Sequence, residues 1–181
     1  MTKEKLDEME ARVMERFRIA RDILEKDEEI ESPHREWLRS FTLDGVGLDI
    51  CCGDFPIGNA MGIDQRFVCG VFEGVGSLCA DDLSVFDDNS VDYIVTNYLE
   101  GTANTQHVLH EWKRILKPKK PLAICAVNPD NYEGPLGVFR NRNRLTAFTP
   151  KLLSNHLHRA GYVDVVVEEV EEVIRAKGYK P

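Results

Sequence analysis

Apolar residues follow two different periods along this chain, and the change from one to the other divides it. Leu6, Met9, Val13, Phe17, Ala20 and Leu24 recur at intervals of three and four, with Glu, Asp, Arg and Lys between them. That spacing predicts an amphipathic helix over roughly residues 3 to 29. Its apolar stripe must bury against something: the main domain in the simplest reading, a dimer or partner-subunit seam or a lid over a site in the sharper ones. Ser32 and Pro33 then offer an N-cap and a first-turn proline for a short helix, PHREWLRSF. Residues 1–40 are read as an N-terminal helical extension and 41–181 as the main domain.

From Val46 the helical spacing gives way to short apolar runs separated by turn residues: VGLDI, AMGID, SLCA, VDYIVTN, PLAICAVN, VDVVVEE and VIRAKG. Helical segments lie between several of them, notably residues 105 to 117 and 149 to 162. Strands alternating with helices predict an α/β fold, a Rossmann-like, doubly wound, mainly parallel sheet covered on both faces. The last two runs have no helix between them and read as an antiparallel hairpin, so the sheet ends in an antiparallel C-terminal strand. In such sheets ligands bind beyond the carboxyl ends of the strands, where strand order reverses. The residues after each run are therefore where chemistry is expected.

Composition narrows the class. The chain has 181 residues, enough for one domain with a substantial core. Its formal net charge of −8 repels nucleic acid, so a polyanionic partner would need a local basic patch, for which Arg140, Arg142 and Arg144 are the candidate. The five cysteines form no CxxC pair, so neither a disulfide framework nor a metal site is suggested. No apolar run approaches the ~20 residues of a membrane span, and a charged, helical start is unlike a signal peptide. A cytoplasmic protein is expected.

After the first run come Asp49, Ile50, Cys51, Cys52 and Gly53, where a tight turn lets backbone N–H groups approach a ligand and Gly53 is free to take a positive φ. The second run ends in Asp64, followed by Gln65; a carboxylate there can accept from two vicinal ribose hydroxyls. The third ends in Asp81 and Asp82, before Leu83, and the fourth in Asn97 and Tyr98. Taken together, these stretches resemble the class I S-adenosylmethionine-dependent methyltransferases, in a type 11-like, short-loop form. GLDICCGD is similar to that family's first motif and GID to its second-strand acid. ADDLSVFDDNSVDYIVTNYLEG resembles the third and fourth motif region, HEWKRILKPKKPLAICAVNP the helix and strand that follow, and TAFTPKLLSNHLHRAGYVDVVVEE the closing helix and strand.

The resemblance implies that the backbone of Cys51 to Gly53, with Asp49 close by, cradles the methionine part of S-adenosylmethionine. It implies that Asp64, with Gln65 beside it, holds the ribose, and that Asp81, with the backbone of Asp82 and Leu83, borders the adenine. Asn97, next to Tyr98, would close the floor near the sulfonium. The sequence departs from the pattern in four places. Cys51 and Phe55 stand where glycines are usual, KPKKP replaces a glycine pair, and nine residues, Cys51 to Asn59, separate Ile50 from Ala60. Nine is fewer than a helical crossover needs, so the helix after the first strand is predicted to shrink to a turn around Pro56 to Asn59.

Methyl transfer gains from positioning, and an acceptor of high pKa also needs a base. Tyr98, Glu100, His107 and His110 follow the fourth strand and are the candidates, none of them singled out by the sequence. The long connection from Asn128 to Phe148, with Tyr132, Phe139 and the arginines of RNRNR, is expected to form a substrate lid offering guanidinium groups to a carboxylate or phosphate. No NPPY-like tetrapeptide follows the fourth strand, which argues against amino-methylation of nucleic acid, and a small-molecule acceptor is expected. A nicotinamide dehydrogenase would share Asp64 but should show GxGxxG and a helix immediately behind it, and both are absent. The alternative is a catalytically silent methyltransferase-like domain that binds cofactor or a partner subunit.

Overall fold

The computed structural model describes residues 33–42, 44–52, 56–64, 75–76, 80–97, 99–130 and 145–181. The helix expected over residues 3 to 29 lies outside them, as do Gly53, Gln65, Tyr98 and the RNRNR arginines. The elements are α1 (Pro33–Arg39), β1 (Gly47–Ile50), β2 (Met61–Ile63), β3 (Val75–Gly76), β4 (Tyr93–Thr96), a 3-10 turn (Leu99–Gly101), α2 (Thr105–Ile115), β5 (Pro121–Val127), α3 (Pro150–Ala160), β6 (Val163–Val170) and β7 (Val173–Tyr179). Seven strands form one sheet in the order β3-β2-β1-β4-β5-β7-β6. The pairs from β3 through β5 are parallel, and β7 runs antiparallel to both β5 and β6. The expected closing hairpin is present, with its second strand inserted between β5 and β6. The third strand lies at Val75–Gly76, ahead of the expected SLCA; of that run the structure describes Ala80, in a turn.

Alternation along the central strands divides the core. Leu48, Ile50, Ile94, Leu122 and Ile124 face the apolar sides of α2 and α3, joining Val108, Leu109, Trp112, Leu153 and Leu157 in the larger cluster. Tyr93, Val95, Ala123 and Cys125 face the other way and pack with Leu38 of α1 and with Ile57 and Ala60. Period-two alternation with both faces buried is what makes these strands near-continuous apolar runs in sequence. The helices are punctuated as their caps dictate. Asn104 Oδ1 accepts from the His107 N–H of α2, Thr149 caps α3 ahead of Pro150, and Gly161 ends α3 at φ 83.

Between β1 and β2, Pro56 to Asn59 form a turn closed by the Ala60 N–H on the Ile57 carbonyl at 3.2 Å. No helix occurs among the described residues of this connection, in agreement with its length. At the opposite end of the sheet, KPKKP makes its own turn. Lys119 takes φ 62 and donates its N–H to Lys180 O, while Lys117 Nζ (2.8 Å) and Lys120 Nζ (3.4 Å) bracket Asp92. That replacement therefore acts on the amino ends of β4 and β5, away from the strand ends where ligands bind.

Gly47 is fixed by space. The Tyr93 ring of the neighbouring strand lies against it, its hydroxyl donating to Asn59 Oδ1 at 2.7 Å. A Cβ on Gly47 would fall 1.8 Å from Tyr93 Cζ. Gly47→Ala should lower stability by about 2–3 kcal/mol through overpacking. Urea denaturation of this variant and of Gly47→Ala/Tyr93→Leu checks the assignment, because the second change should recover part of the loss.

Candidate functional site

Strand order reverses between β1 and β4, so the crevice predicted for ligands lies beyond Ile50, Ile63 and Thr96. β1 and β2 end in register, Ile50 opposite Ile63. The chain then turns sharply: the Cys51 and Cys52 N–H groups both donate to the Ile63 carbonyl, at 2.7 and 3.4 Å. Cys51 adopts φ 60, a left-handed conformation that costs a non-glycine residue about 1–2 kcal/mol. Sequence reasoning assigned positive φ to Gly53; among the described residues of this turn it falls on Cys51, where the family pattern has its first glycine. The bonds to Ile63 hold Cys51 in that conformation.

Beneath the turn sit two carboxylates on adjacent strands. Asp49 is 1 % exposed and Asp64 6 %. Asp49 Oδ2 accepts from the Ile57 N–H at 2.8 Å, which fastens the shortened connection to β1, while Oδ1 is buried with no hydrogen-bond partner. Burial raises the Asp49 carboxyl to about 7; the nearby Asp64 adds to this, against the Ile57 N–H and Arg35. Burial, followed by the negative charge of Asp49 and Asp64, pushes the Cys52 thiol up to about 12, so it remains protonated and is no nucleophile at neutral pH. The strand ends form a low-dielectric, acidic recess suited to a cation and to hydroxyl donors.

The segment after β3 is fastened to α2. Trp112 Nε1 donates to Ala80 O at 2.8 Å, and His107 Nε2 lies 3.2 Å from Asp81 O. Arg114 donates to Leu83 O (3.0 Å) and Phe86 O (2.9 Å), and also pairs with Glu111 and Asp88. Asp81 is exposed. The Asp82 carboxylate accepts from the Ser84 N–H, and these Ser84 hydrogen bonds hold it below its usual range. Leu83 is fully buried in the core, and its carbonyl accepts from Arg114.

At the end of β4, Thr96 Oγ1 donates to Ile50 O at 2.6 Å and locks the two central strand ends together, and Asn97 is exposed. Of the candidate bases, Glu100 is fully buried. Its Oε1 accepts from the Val127 N–H, and its backbone carbonyl accepts from the Leu145 (2.7 Å) and Thr146 (3.1 Å) N–H groups. Glu100 thus brackets both ends of the long connection after β5. His107 is engaged with Asp81, and His110 meets Gln106 at 3.3 Å, which in turn contacts His156. Thr96, Trp112 and Arg114 went unnoticed in the sequence because their roles need partners 26 to 46 positions away.

No protein-family model matches the chain and no curated protein does. Solved structures do. It is similar to a SAM-dependent methyltransferase from Thermotoga maritima, with TM-score 0.68 and 16 % identity over 82 % of this chain and 87 % of that one. A SAM-dependent methyltransferase from Archaeoglobus fulgidus gives 0.65 and 16 % over 81 % and 94 %. A chain from the complex of the Haloferax volcanii Trm112 methyltransferase activator gives 0.63 and 17 % over 86 % and 94 %. The chain has the class I methyltransferase fold. Within that fold the acidic recess and the left-handed turn stand at the carboxyl ends of the first two strands, and the segment 80–83 stands beside them. With no matching family model, the likeness reaches the fold and not the type 11 subgroup.

The Asp49 carboxyl yields a pH signature. A carboxyl whose native pKa of about 7 exceeds its unfolded value of 3.8 holds its proton more tightly when folded. The native state therefore loses stability as pH rises from 3.8 to about 7, and the loss levels off above, with an upper bound of about 4 kcal/mol. Asp49→Asn keeps an acceptor for Ile57 and should flatten this decline. Melting temperatures of variant and wild type should agree near pH 4 and separate in favour of the variant at pH 8.

Proposed function

We propose that this chain is an S-adenosylmethionine-dependent methyltransferase acting on a small-molecule acceptor and releasing S-adenosylhomocysteine. The observation that carries this reading is the buried Asp49 with its unpartnered Oδ1 beside Asp64, at adjacent strand ends of the class I methyltransferase fold. A ligand bearing a cationic ammonium and sulfonium together with a ribose diol brings a donor for the unpartnered Asp49 Oδ1 and positive charge to an acidic recess. The residues present fit such a group.

On this reading the backbone of Cys51 to Gly53, with Asp49, takes the methionine part, and Asp64 with Gln65 accepts from the ribose hydroxyls. Asp81, with the backbone of Asp82 and Leu83, borders the adenine, while Asn97 and Tyr98 lie near the sulfonium. When bound, the cofactor supplies an electrophilic methyl on a positively charged sulfur. The protein's part is then to hold acceptor and methyl in line and exclude water. Glu100, His107 and His110 are occupied structurally, which supports an acceptor that brings its own lone pair near neutral pH, such as an amine, over one needing deprotonation. The same occupancy supports the second reading, a domain that binds cofactor without turnover. The reading keeps residues 41–181 as the methyltransferase domain with 1–40 as its extension, and a cytoplasmic location. It also leaves room for a partner subunit.

Calorimetric titration with S-adenosylmethionine and S-adenosylhomocysteine tests the site. Wild type should bind with micromolar Kd, about −8 kcal/mol. Asp64→Ala should lose about 100-fold or more, the equivalent of two charge-assisted hydrogen bonds. Turnover with a panel of amine acceptors separates the enzyme from the silent domain. Wild-type protein that binds neither ligand would sink the reading.

A further inference from the structure

His107 is the third residue of α2, and its backbone is fixed by the cap, the His107 N–H donating to Asn104 Oδ1 at 3.1 Å. Its ring reaches across 26 positions to place Nε2 3.2 Å from the Asp81 carbonyl oxygen. A carbonyl only accepts, so Nε2 carries the proton of this bond. The peptide joining Asp81 to Asp82 is planar and trans, with its C=O and N–H antiparallel. Drawing the Asp81 carbonyl towards α2 therefore turns the Asp82 N–H to the opposite side. Neighbouring peptides are fixed to the same helix, Ala80 through Trp112 and Leu83 through Arg114. His107 alone among these α2 side chains holds the peptide between the two aspartates.

Its side chain is exposed and belongs to neither core cluster. Packing therefore does not account for it, whereas orientation of one peptide does.

We propose that His107 is a positioning residue that sets the 81–82 peptide so that the Asp81 carboxylate and the Asp82 N–H read the amino edge of the adenine. The proposal rests on the cofactor reading above. The carboxylate accepts from the exocyclic amine and the N–H donates to the adjacent ring nitrogen. An inosine ring reverses both groups, presenting an oxygen acceptor and a ring N–H.

The test is calorimetric titration with S-adenosylhomocysteine and with S-inosylhomocysteine, on the wild type and on His107→Leu, His107→Gln and Asp81→Asn. Wild type should prefer the adenosyl compound by about 50-fold or more, the equivalent of two hydrogen bonds. His107→Leu should melt at the wild-type temperature and bind the inosyl compound within twofold of wild type. Its preference for the adenosyl compound should fall about tenfold, the size of one hydrogen bond. His107→Gln, which restores a donor, should recover most of that preference. A preference unchanged in His107→Leu, or both ligands weakened equally, would overturn the proposal. If Asp81→Asn then loses the preference, the cofactor reading stands without His107. Failure of the wild type to bind S-adenosylhomocysteine would overturn the cofactor reading and this proposal together.

Discussion

One carbonyl organises the strand ends. Ile63 O accepts from the N–H groups of both Cys51 and Cys52, and those two bonds force the chain to reverse as soon as β1 ends. The reversal strains Cys51 into the left-handed region and brings Pro56 to Asn59 directly back over β1. There the Ile57 N–H finds the Asp49 carboxylate. With so tight a connection there is no crossover helix to pack, and so no need for a glycine that would let one approach the sheet. The buried carboxylate, the strained turn and the short connection have one geometric cause.

The second organiser is α2, which works on two sides. Its apolar residues Val108, Leu109, Trp112 and Ile115 are fully buried against the sheet. Its polar residues spend their hydrogen bonds on the segment from Ala80 to Phe86. A segment with so little regular structure would otherwise place its backbone groups by chance. Fastened to a helix whose position the core fixes, it acquires a definite orientation beside β1 and β2. Trp112 joins the two roles in one residue, its ring in the core and its N–H on Ala80.

Much of the fold was legible because its signals are local or nearly so. β1, β4 and β5 are buried on both faces and read as apolar runs, α2 and α3 carry their stripes and caps, and nine residues are too few for a crossover helix. Val75 and Gly76 were not read as strand because so short a stretch containing glycine carries no periodic signal, and its pairing with Gly62 and Ile63 defines it. At the site, the acids after the strands were legible by type and position. What was hidden was which backbone groups were already committed. Leu83 reads like any residue after an acidic pair, and Glu100 like an ordinary candidate base. The bonds of Arg114 to the Leu83 carbonyl and of the Val127 N–H to Glu100 exist only once distant segments meet.

That commitment bears on how the fold could support chemistry. A buried carboxylate bonded to a strand's N–H cannot leave to take a proton without leaving that N–H unpaired, a loss of about 1–3 kcal/mol. Glu100 is in this position, and its backbone carbonyl also anchors the segment returning at Leu145. It is therefore a structural bracket at the carboxyl ends of β4 and β5, and recruiting it as a base would loosen both ends of the connection it holds. Asp49 has one oxygen bonded to the Ile57 N–H and the other buried without a partner. Its free energy improves when a donor or cation arrives. On the proposed reading, ligand recognition at the strand ends therefore belongs to Asp49, whose second oxygen a bound donor would satisfy without breaking the bond to Ile57.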